Sequence, residues 1–312
     1  MVYKIGITEI FSFTLEGLIC AFLLSLIIVF IARIKKELNG AFYHLLLAVF
    51  LSDFTFTSFH MTFFLKIPRY GVMVDMYKNN QWLGNAAYAG TSFYTIVQYL
   101  GQTLIAFNRF TSLWFPFYHK RIWSSKWYIY IVIFLPIIFT SYRIPAQGLY
   151  VFKEDGNVEI GFVDKEFKRQ VLFVLSFMYG TNAAISAILS LLTVTKYFMM
   201  TRSMTQIPAD ASVKLLIYSL ILLVIQIIRF TYGYLRSLFA NNYVIVAILE
   251  TSLSYIVDIH AIIASVSIMI LSSIIRKAYI EYYFGNWEWF LQKLKQKPHS
   301  EITPSSQLPS IF

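Results

Sequence analysis

The sequence predicts an all-α membrane protein: a bundle of seven transmembrane helices, with the amino terminus outside and an amphipathic helix at the carboxyl end. Of its 312 residues, 58% are hydrophobic and 13% are charged, whereas soluble domains have roughly 45–50% apolar and about 25% charged residues. Seven apolar stretches reach the length of about 20 residues that a helix needs to cross a bilayer. The net charge of +10 comes from basic residues in the connectors, so it indicates topology rather than nucleic-acid binding.

The seven predicted spans follow one another without an internal repeat. They cover residues 10–32, 42–65, 87–110, 127–142, 171–195, 215–235 and 243–270. The fourth is the shortest and contains Pro136, which a membrane helix tolerates because neighbouring helices satisfy the freed carbonyl. The residues before Ile10 are too few for a cleavable signal peptide, so we expect the first span to act as its own insertion signal.

Basic residues near the first and third spans predict the orientation. Arg33, Lys35 and Lys36 follow the first span directly, and residues 109–126 hold four basic residues and no acidic one. Because Lys and Arg accumulate on the cytoplasmic side, we expect the amino terminus outside and the carboxyl terminus inside. Residues 143–169 contain five basic and five acidic residues, and we expect them to form a small polar loop outside.

The chain is predicted to have three parts. Residues 1–275 form the seven-span domain, residues 276–297 an amphipathic helix on the inner leaflet, and residues 298–312 a disordered tail. The helix is predicted from apolar residues at helical spacing between Tyr279 and Leu294, with lysines behind them. The tail is polar and rich in Pro and Ser. A single cysteine, Cys20, excludes an intrachain disulfide, and the absence of an Asn-X-Ser/Thr sequon predicts no N-linked glycan.

Motifs for catalysis are missing from the sequence. It has no zinc-protease motif, no phosphate-binding loop and no Cys/His cluster with metal-ligand spacing. Asp53 and Asp258 lie within spans, but the glycine-flanked aspartate typical of intramembrane aspartyl proteases is absent. We therefore expect no enzyme activity, no cofactor and no bound metal.

Charged residues inside the spans are functional candidates because burying a charge in lipid costs about 2.5–3.5 kcal/mol. Asp53 and Asp258 lie ~16 and ~18 Å from the inner ends of their spans, so they share a level at which both cannot stay ionised cheaply. They predict either an ion- or proton-linked switch or a hydrogen-bonded polar core. Arg229 and Glu250, both roughly 9–11 Å below the outer surface, predict an ion pair that is either structural or in contact with a polar ligand.

Polar and aromatic side chains of the outer half predict where a ligand could bind. Tyr94, Gln98 and Tyr99 of the third span suit a small ligand in a mostly apolar pocket, although a tyrosine inside a bundle commonly only packs. Glu16 and His60 are expected to reach the headgroups. The phenylalanines of the second span are expected to face lipid or the interface; they are Phe54, Phe56, Phe63 and Phe64.

The most specific motif begins at the inner end of the third span. Asn108-Arg109-Phe110 occupies the place where rhodopsin-like receptors carry an Asp-Arg-Tyr triplet, and Phe115-Pro116 and the segment HKRIW over residues 119–123 follow it. By itself Arg109 could be a simple inside anchor. Together with the segments LNGAFY over residues 38–43 and IPRYG over 67–71, the motif resembles the nematode serpentine chemoreceptors of the gamma superfamily, either class gamma or its sister class v.

This resemblance implies a G-protein-coupled chemosensory receptor in the plasma membrane of a sensory neuron. Its implied partners are the lipid bilayer, a heterotrimeric G protein and a small odorant or metabolite, with Arg109 as the switch residue. Lys196, Arg202 and the carboxyl-terminal helix are further contact candidates. The residues implied in G-protein coupling are Asn108, Arg109, Phe110, Pro116, His119, Lys120, Arg121, Ile122 and Trp123.

Several features depart from rhodopsin-like receptors. The external disulfide cannot form, the sixth span has no proline, and the seventh has no Asn-Pro pair. Asn108 replaces the acid before Arg109 and cannot neutralise it, so an inactive-state lock there is weaker or built otherwise. Two alternative functions stay open: a transporter or ligand-gated channel that uses Asp53, Asp258, Arg229 and Glu250 as a polar path, and a membrane adaptor that acts through its tail.

Overall fold

The computed structural model describes residues 7–69, 72–141, 148–152, 158–162, 165–203, 210–239 and 242–295, and most of these residues are helical. The predicted tail over residues 298–312 lies outside them. In chain order the helices are α1 (Ile7–Arg33), α2 (Ala41–Thr55), α3 (Ile67–Arg69), α4 (Val74–Asn79), α5 (Trp82–Trp114), α6 (Pro116–Ser124), α7 (Trp127–Ser141), α8 (Lys165–Ser203), α9 (Asp210–Leu238), α10 (Tyr243–Leu271) and α11 (Ser273–Lys295).

Seven of these helical units coincide with the predicted spans: α1, α2 with its continuation, α5, α7, α8, α9 and α10. Within the described ranges, length and composition alone qualify four helices to cross a membrane, or six if two bent pairs each count as one span. Helix α5 is not among the four because polar residues recur along its length. Its position explains them: α5 lies at the centre of the bundle and contacts α2, α7, α8 and α9.

Helix α1 shows how the outer helices pack. Ile19, Leu23, Leu26 and Phe30 recur every three or four residues and are buried against the bundle, while Leu24 and other apolar residues of the opposite face are exposed. A helix that is apolar all round fits this position, because one face packs against protein and the other faces hydrocarbon.

The second span changes its helical period halfway along. A π-helical segment, Phe56–Lys66, continues α2 without a break, and the hydroxyl of Thr62 donates to the carbonyl of Thr57, five residues earlier, at 3.3 Å. The wider turn brings His60 into the bundle, whereas Phe59 is 57% exposed. Such segments are rare and occur frequently at functional sites.

A two-stranded antiparallel hairpin connects α7 to α8 in the loop predicted to be external. Its strands are β1 (Gly148–Phe152) and β2 (Val158–Phe162). The hairpin packs on the start of α5 at Gly84, where a Cβ atom would lie 2.8 Å from Cα of Leu149. The Tyr150 hydroxyl donates to the Phe64 carbonyl at 2.7 Å. These contacts hold the loop to the bundle without a disulfide.

Helix α11 begins where the chain turns sharply after α10. The segment Ser273–Gly285 is bent by 93° from Tyr255–Leu271, and the Tyr283 hydroxyl donates to the Ser25 carbonyl of α1 at 3.1 Å. The apolar side chains of Ile280 and Phe284 are exposed. A helix is therefore present where the amphipathic one is predicted, and its contact with the inner leaflet stays a prediction.

Candidate functional site

Arg109, near the inner end of α5, rests on an aromatic ring. Its guanidinium carbon lies 3.9 Å from the centre of the Phe42 ring at the start of α2, and Tyr218 of α9 contacts the same ring edge-on, with centroids 6.4 Å apart. In the part of the chain that the structure describes, Nε of Arg109 has no hydrogen-bond partner. A cation–π contact thus occupies the place of the ion pair that Asn108, which is itself buried, cannot make.

Helix α6 follows α5 after a single non-helical residue. Phe115 leaves the helical region with φ −130° and ψ 56°, and Pro116 occupies the first turn of α6, where its missing N–H is not needed. The indole N–H of Trp123 donates to the Thr111 hydroxyl of α5 at 2.9 Å. That hydroxyl also lies 3.0 Å from Nδ1 of His119. Trp123 and His119 of α6 therefore both bind the Thr111 hydroxyl and attach α6 to α5.

The predicted coupling residues of α6 divide by exposure into buried ones that pack against the bundle and exposed ones. Trp123 is buried and packs its ring against Tyr128 at 5.3 Å between centroids, so it positions the helix. Lys120 and Arg121 are exposed. The sequence did not single out Phe117 and its neighbour Tyr118, which are 93% and 62% exposed. Pro116 is exposed as well, while Arg109, Phe110, His119 and Ile122 are partly buried.

A polar network crosses the middle of the bundle at Gln98 of α5. The Gln98 amide nitrogen donates to Asp53 of α2, and Arg229 of α9 donates to the Gln98 amide oxygen. All three side chains are buried. Gln98 therefore connects a carboxylate to a guanidinium through one amide and gives each of these buried groups a hydrogen-bond partner.

The network extends to the seventh span through a residue that the sequence analysis missed. Nδ1 of His260 in α10 lies 3.7 Å from Oδ1 of Asp53, and the Gln102 amide nitrogen lies 2.6 Å from Nε2 of His260. Because that amide donates to Nε2, the hydrogen of a neutral imidazole resides on Nδ1 and faces the carboxylate. The signal was available in the sequence: His260 follows Asp258 by two residues inside an otherwise apolar span.

A second charged cluster lies between α1 and the π-helical segment. Lys66 pairs with Glu16, both side chains are buried, and the Lys66 ammonium lies 5.5 Å from the Phe13 ring centre. Asp258 is buried and has Lys66 among its electrostatic neighbours. Asp53 and Asp258 thus have different partners, and a switch shared between them stays a prediction.

Several interpretations of the outer half are wrong. Glu16 and His60 are buried, so they do not reach the headgroups. His60 bonds Thr91 of α5, with 2.9 Å between Nε2 and the hydroxyl oxygen. Phe56 is fully buried and stacks on His60 with centroids 5.4 Å apart, so it does not face lipid. His60 and Phe56 form helix contacts within the π-helical segment, and Glu16 of α1 pairs with Lys66 of the same segment.

Three of the predicted ligand residues, Gln98, Tyr99 and Arg229, lie together in the buried network, whereas Tyr94 has other neighbours. Tyr99 is buried and stacks on Tyr179 of α8, with centroids 4.7 Å apart, and Arg229 lies near the Tyr99 ring at 5.6 Å. Tyr94 is half-buried and contacts the Phe56 ring at 5.4 Å. The side chain of Glu250 lies outside the described residues, so its pairing with Arg229 stays a prediction.

Comparison with known proteins gives two findings. Residues 11–284 match the family described as serpentine type 7TM GPCR chemoreceptor Srv. Serpentine receptor class V-1 from Caenorhabditis elegans is 25% identical over 183 residues, a match that covers 56% of this chain and 59% of that protein. The chain thus aligns with somewhat less than two thirds of this relative's length.

Proposed function

The chain belongs to the Srv family of serpentine seven-transmembrane chemoreceptors, which is class v of the two classes that its motifs resemble. From this premise we propose that it detects a small external molecule and activates a heterotrimeric G protein. The observation that carries the proposal is the extent of the family match, which runs from α1 into α11. We place the receptor in the plasma membrane of a sensory neuron, with its amino terminus outside.

The inner end of α5 is the proposed coupling site. Arg109 provides a cation at the mouth of the bundle, and α6 carries Lys120 and Arg121 on an exposed face beside it. The hydroxyl of Thr111, which binds both Trp123 and His119, keeps that face in a fixed position relative to α5. A movement of α5 therefore carries the basic face with it, which supports α6 as a contact for the G protein.

The polar network at Gln98 is the proposed conformational element. It joins α2, α5, α9 and α10 through Asp53, Gln98, Arg229 and His260. The amide of Gln98 serves both Asp53 and Arg229, so moving one of these helices requires the hydrogen bonds of the network to be exchanged together. A ligand that binds one arrangement better than another shifts the population between them.

The proposal is tested in cells that express the full chain with a G-protein activation reporter. The cells are screened against volatile and water-soluble metabolites, with the Arg109→Ala variant measured in parallel at matched surface expression. We expect a ligand response in the unchanged receptor that the variant loses. Arg33→Ala is the matched control, because Arg33 is also a basic residue at an inner helix end, where it pairs with Glu37 at 3.1 Å, and its response should persist.

Two results would contradict the proposal. A response that Arg109→Ala leaves unchanged would remove Arg109 from the coupling step. Ion flux through the purified chain in liposomes, without any G protein, would replace the receptor by the transporter or channel alternative.

A further inference from the structure

A cavity of about 320 Å³ lies between the π-helical segment, α5 and α7. It is separate from the network at Gln98, and its walls are aromatic rings from two helices: Phe59, Phe64, Phe93 and Tyr94. The volume is at the lower end of the roughly 300–1,000 Å³ found for small-molecule sites. The cavity therefore has room for a small molecule, and its aromatic lining suits an aromatic ligand.

Two features of the sequence create this space. The π-helical segment turns His60 towards α5, and Gly90 lets the imidazole approach, because a Cβ atom at position 90 would lie 2.5 Å from Cε1 of His60. On α5 the small side chain of Ala89 leaves the volume beside the imidazole unfilled. A larger side chain at position 89 or 90 of α5, or a regular α-helical period over residues 56–66, would close the cavity.

One polar group of the lining is left without a partner. Among the described residues, the Thr140 hydroxyl of α7 is buried and has no hydrogen-bond partner, and Thr140 is one of the residues that line the cavity. The adjacent Ser141 hydroxyl is already used, since it donates to the Ile138 carbonyl at 2.7 Å. An unpaired buried hydroxyl costs free energy. Rotation of the Thr140 side chain about Cα–Cβ exchanges its hydroxyl and methyl positions, and a hydroxyl turned towards the cavity would bond a ligand oxygen and remove that cost.

The cavity opens on the side of the bundle that faces hydrocarbon. Phe59 and Ile137 line it and are 57% and 49% exposed, and the neighbouring Ile138 of α7 is exposed too. No Asp, Glu, Lys or Arg is among the described lining residues. A charged ligand would find no opposite charge among these residues, and leaving a charge unpaired in an apolar site is costly. The site therefore favours an uncharged molecule that dissolves in the membrane.

We infer that this cavity binds an uncharged, mainly aromatic molecule with one hydrogen-bonding oxygen, which enters sideways from the bilayer and bonds Thr140. The inference rests on the proposed function, because it places the receptor's ligand. Among the ligand candidates whose side chains the structure describes, Tyr94 is the one that lines the cavity.

Tyr94 gives the cavity a route to the buried network. It lies one helical turn before Gln98 on α5, and the intervening Thr95 accepts a long hydrogen bond from Arg229 at 3.4 Å. A ligand that displaces the Tyr94 ring shifts the turn of α5 that holds Gln98 and Thr95. Occupation of the cavity therefore acts on the contacts of Arg229.

Benzophenone is a suitable probe, because it is an uncharged aromatic ketone whose carbonyl adds across a nearby C–H bond on irradiation. The full-length receptor in lipid vesicles is irradiated with increasing benzophenone, and the labelled residues are located by mass spectrometry. We expect saturable labelling among residues 59–64, 86–94 and 137–141. Labelling that rises linearly with concentration, or that is equal on all lipid-facing helices, would show partition into lipid only and would overturn the inference.

Two matched pairs of variants sharpen the test. Ala89→Phe fills the cavity and should abolish the saturable labelling, whereas Ala184→Phe adds the same ring at an exposed position of α8 and should preserve it. Thr140→Val removes only the unpaired hydroxyl and should raise the half-saturating concentration about twofold to tenfold. Thr181→Val, at an exposed position of α8, should leave it unchanged. If the two variants of either pair changed the saturable labelling equally, the inference that the cavity is the binding site would be wrong.

The labelling result is independent of coupling, so the inference and the proposed function can fail separately. Saturable labelling without G-protein activation by any compound tested would support the site and count against the receptor reading of the chain. Activation by a compound whose potency is the same in Ala89→Phe and Ala184→Phe would support the receptor and overturn the cavity as its ligand site.

Discussion

Gln98 bonds two buried groups of opposite charge, Asp53 and Arg229, and replacing it removes the main hydrogen-bond partner of each. In Gln98→Leu, Asp53 loses its amide donor and Arg229 loses its amide acceptor. Leaving a buried polar group without its hydrogen-bond partner costs about 1–3 kcal/mol, and more for a charged group, so we expect a large fall in the thermal unfolding midpoint of the purified receptor.

Thr95→Val is the control for Gln98→Leu. It removes the 3.4 Å contact to Arg229 and leaves the amide in place, so the loss should stay below about 1 kcal/mol. Similar midpoints for the two variants would show that the amide at position 98 does not satisfy these charges.

Phe42 is the residue that holds Arg109 in the described conformation, at 3.9 Å from the ring centre. A cation–π contact contributes about 0.5–2 kcal/mol. In Phe42→Leu we therefore expect ligand-independent G-protein activation to rise roughly 2-fold to 30-fold at equal surface expression. Phe42→Tyr keeps the ring face and should keep the low basal level. Basal activity that is the same in all three receptors would mean that the ring does not restrain Arg109.

At the scale of elements, the attachment of α6 to α5 should depend on pH. Burial lowers the pKa of His119 below its ordinary value of 6.5, and the Arg109 guanidinium lowers it further. Below about pH 6.5, His119 is protonated more readily when α6 is detached from α5 than when α6 is attached. Acidification therefore weakens the attachment, which is constant at higher pH.

Hydrogen exchange of the α6 amides measures this, after correction for the intrinsic effect of pH on exchange. Protection should be lower at about pH 5.5 than at about pH 7.5 in the unchanged receptor. His119→Gln cannot take up the proton, and its protection should be the same at both pH values. A variant that retains the full pH dependence would assign the titration to another group.

The elements also show what the sequence could and could not predict. The seven spans follow from apolar runs alone, because a bilayer requires a minimum helix length whatever the helix packs against. The π-helical segment leaves no such signal, since FTSFHMTFFLK has no Pro or Gly to mark a change of period. The burial of His60 and Phe56 depends on that change, and for this reason their predicted positions were wrong.

At the scale of the whole molecule, pairings across the bundle decide the sites, and they join residues far apart in sequence. Arg109 was found by its motif, whereas nothing in the segment LNGAFY over residues 38–43, although it resembles the family, indicates that Phe42 contacts Arg109. Asp53 was found as a charge in an apolar run, but its partners Gln98 and His260 come from other spans. A single sequence indicates how deep in the bilayer such residues lie. It does not determine how each helix is rotated about its axis, and this rotation decides which residues meet.

The orientation of the bundle is the property on which the coupling proposal depends most, and it can be tested without a ligand. Glu159→Thr creates an Asn-X-Thr site at Asn157, in the connector between α7 and α8, and Ser203→Asn creates one at position 203, the last residue of α8. With the amino terminus outside, only the first connector enters the compartment where glycans are added. We expect an electrophoretic shift, removable by glycosidase, for Glu159→Thr and none for Ser203→Asn. The reverse pattern would place Arg109 and the basic face of α6 outside the cell, where no G protein could reach them.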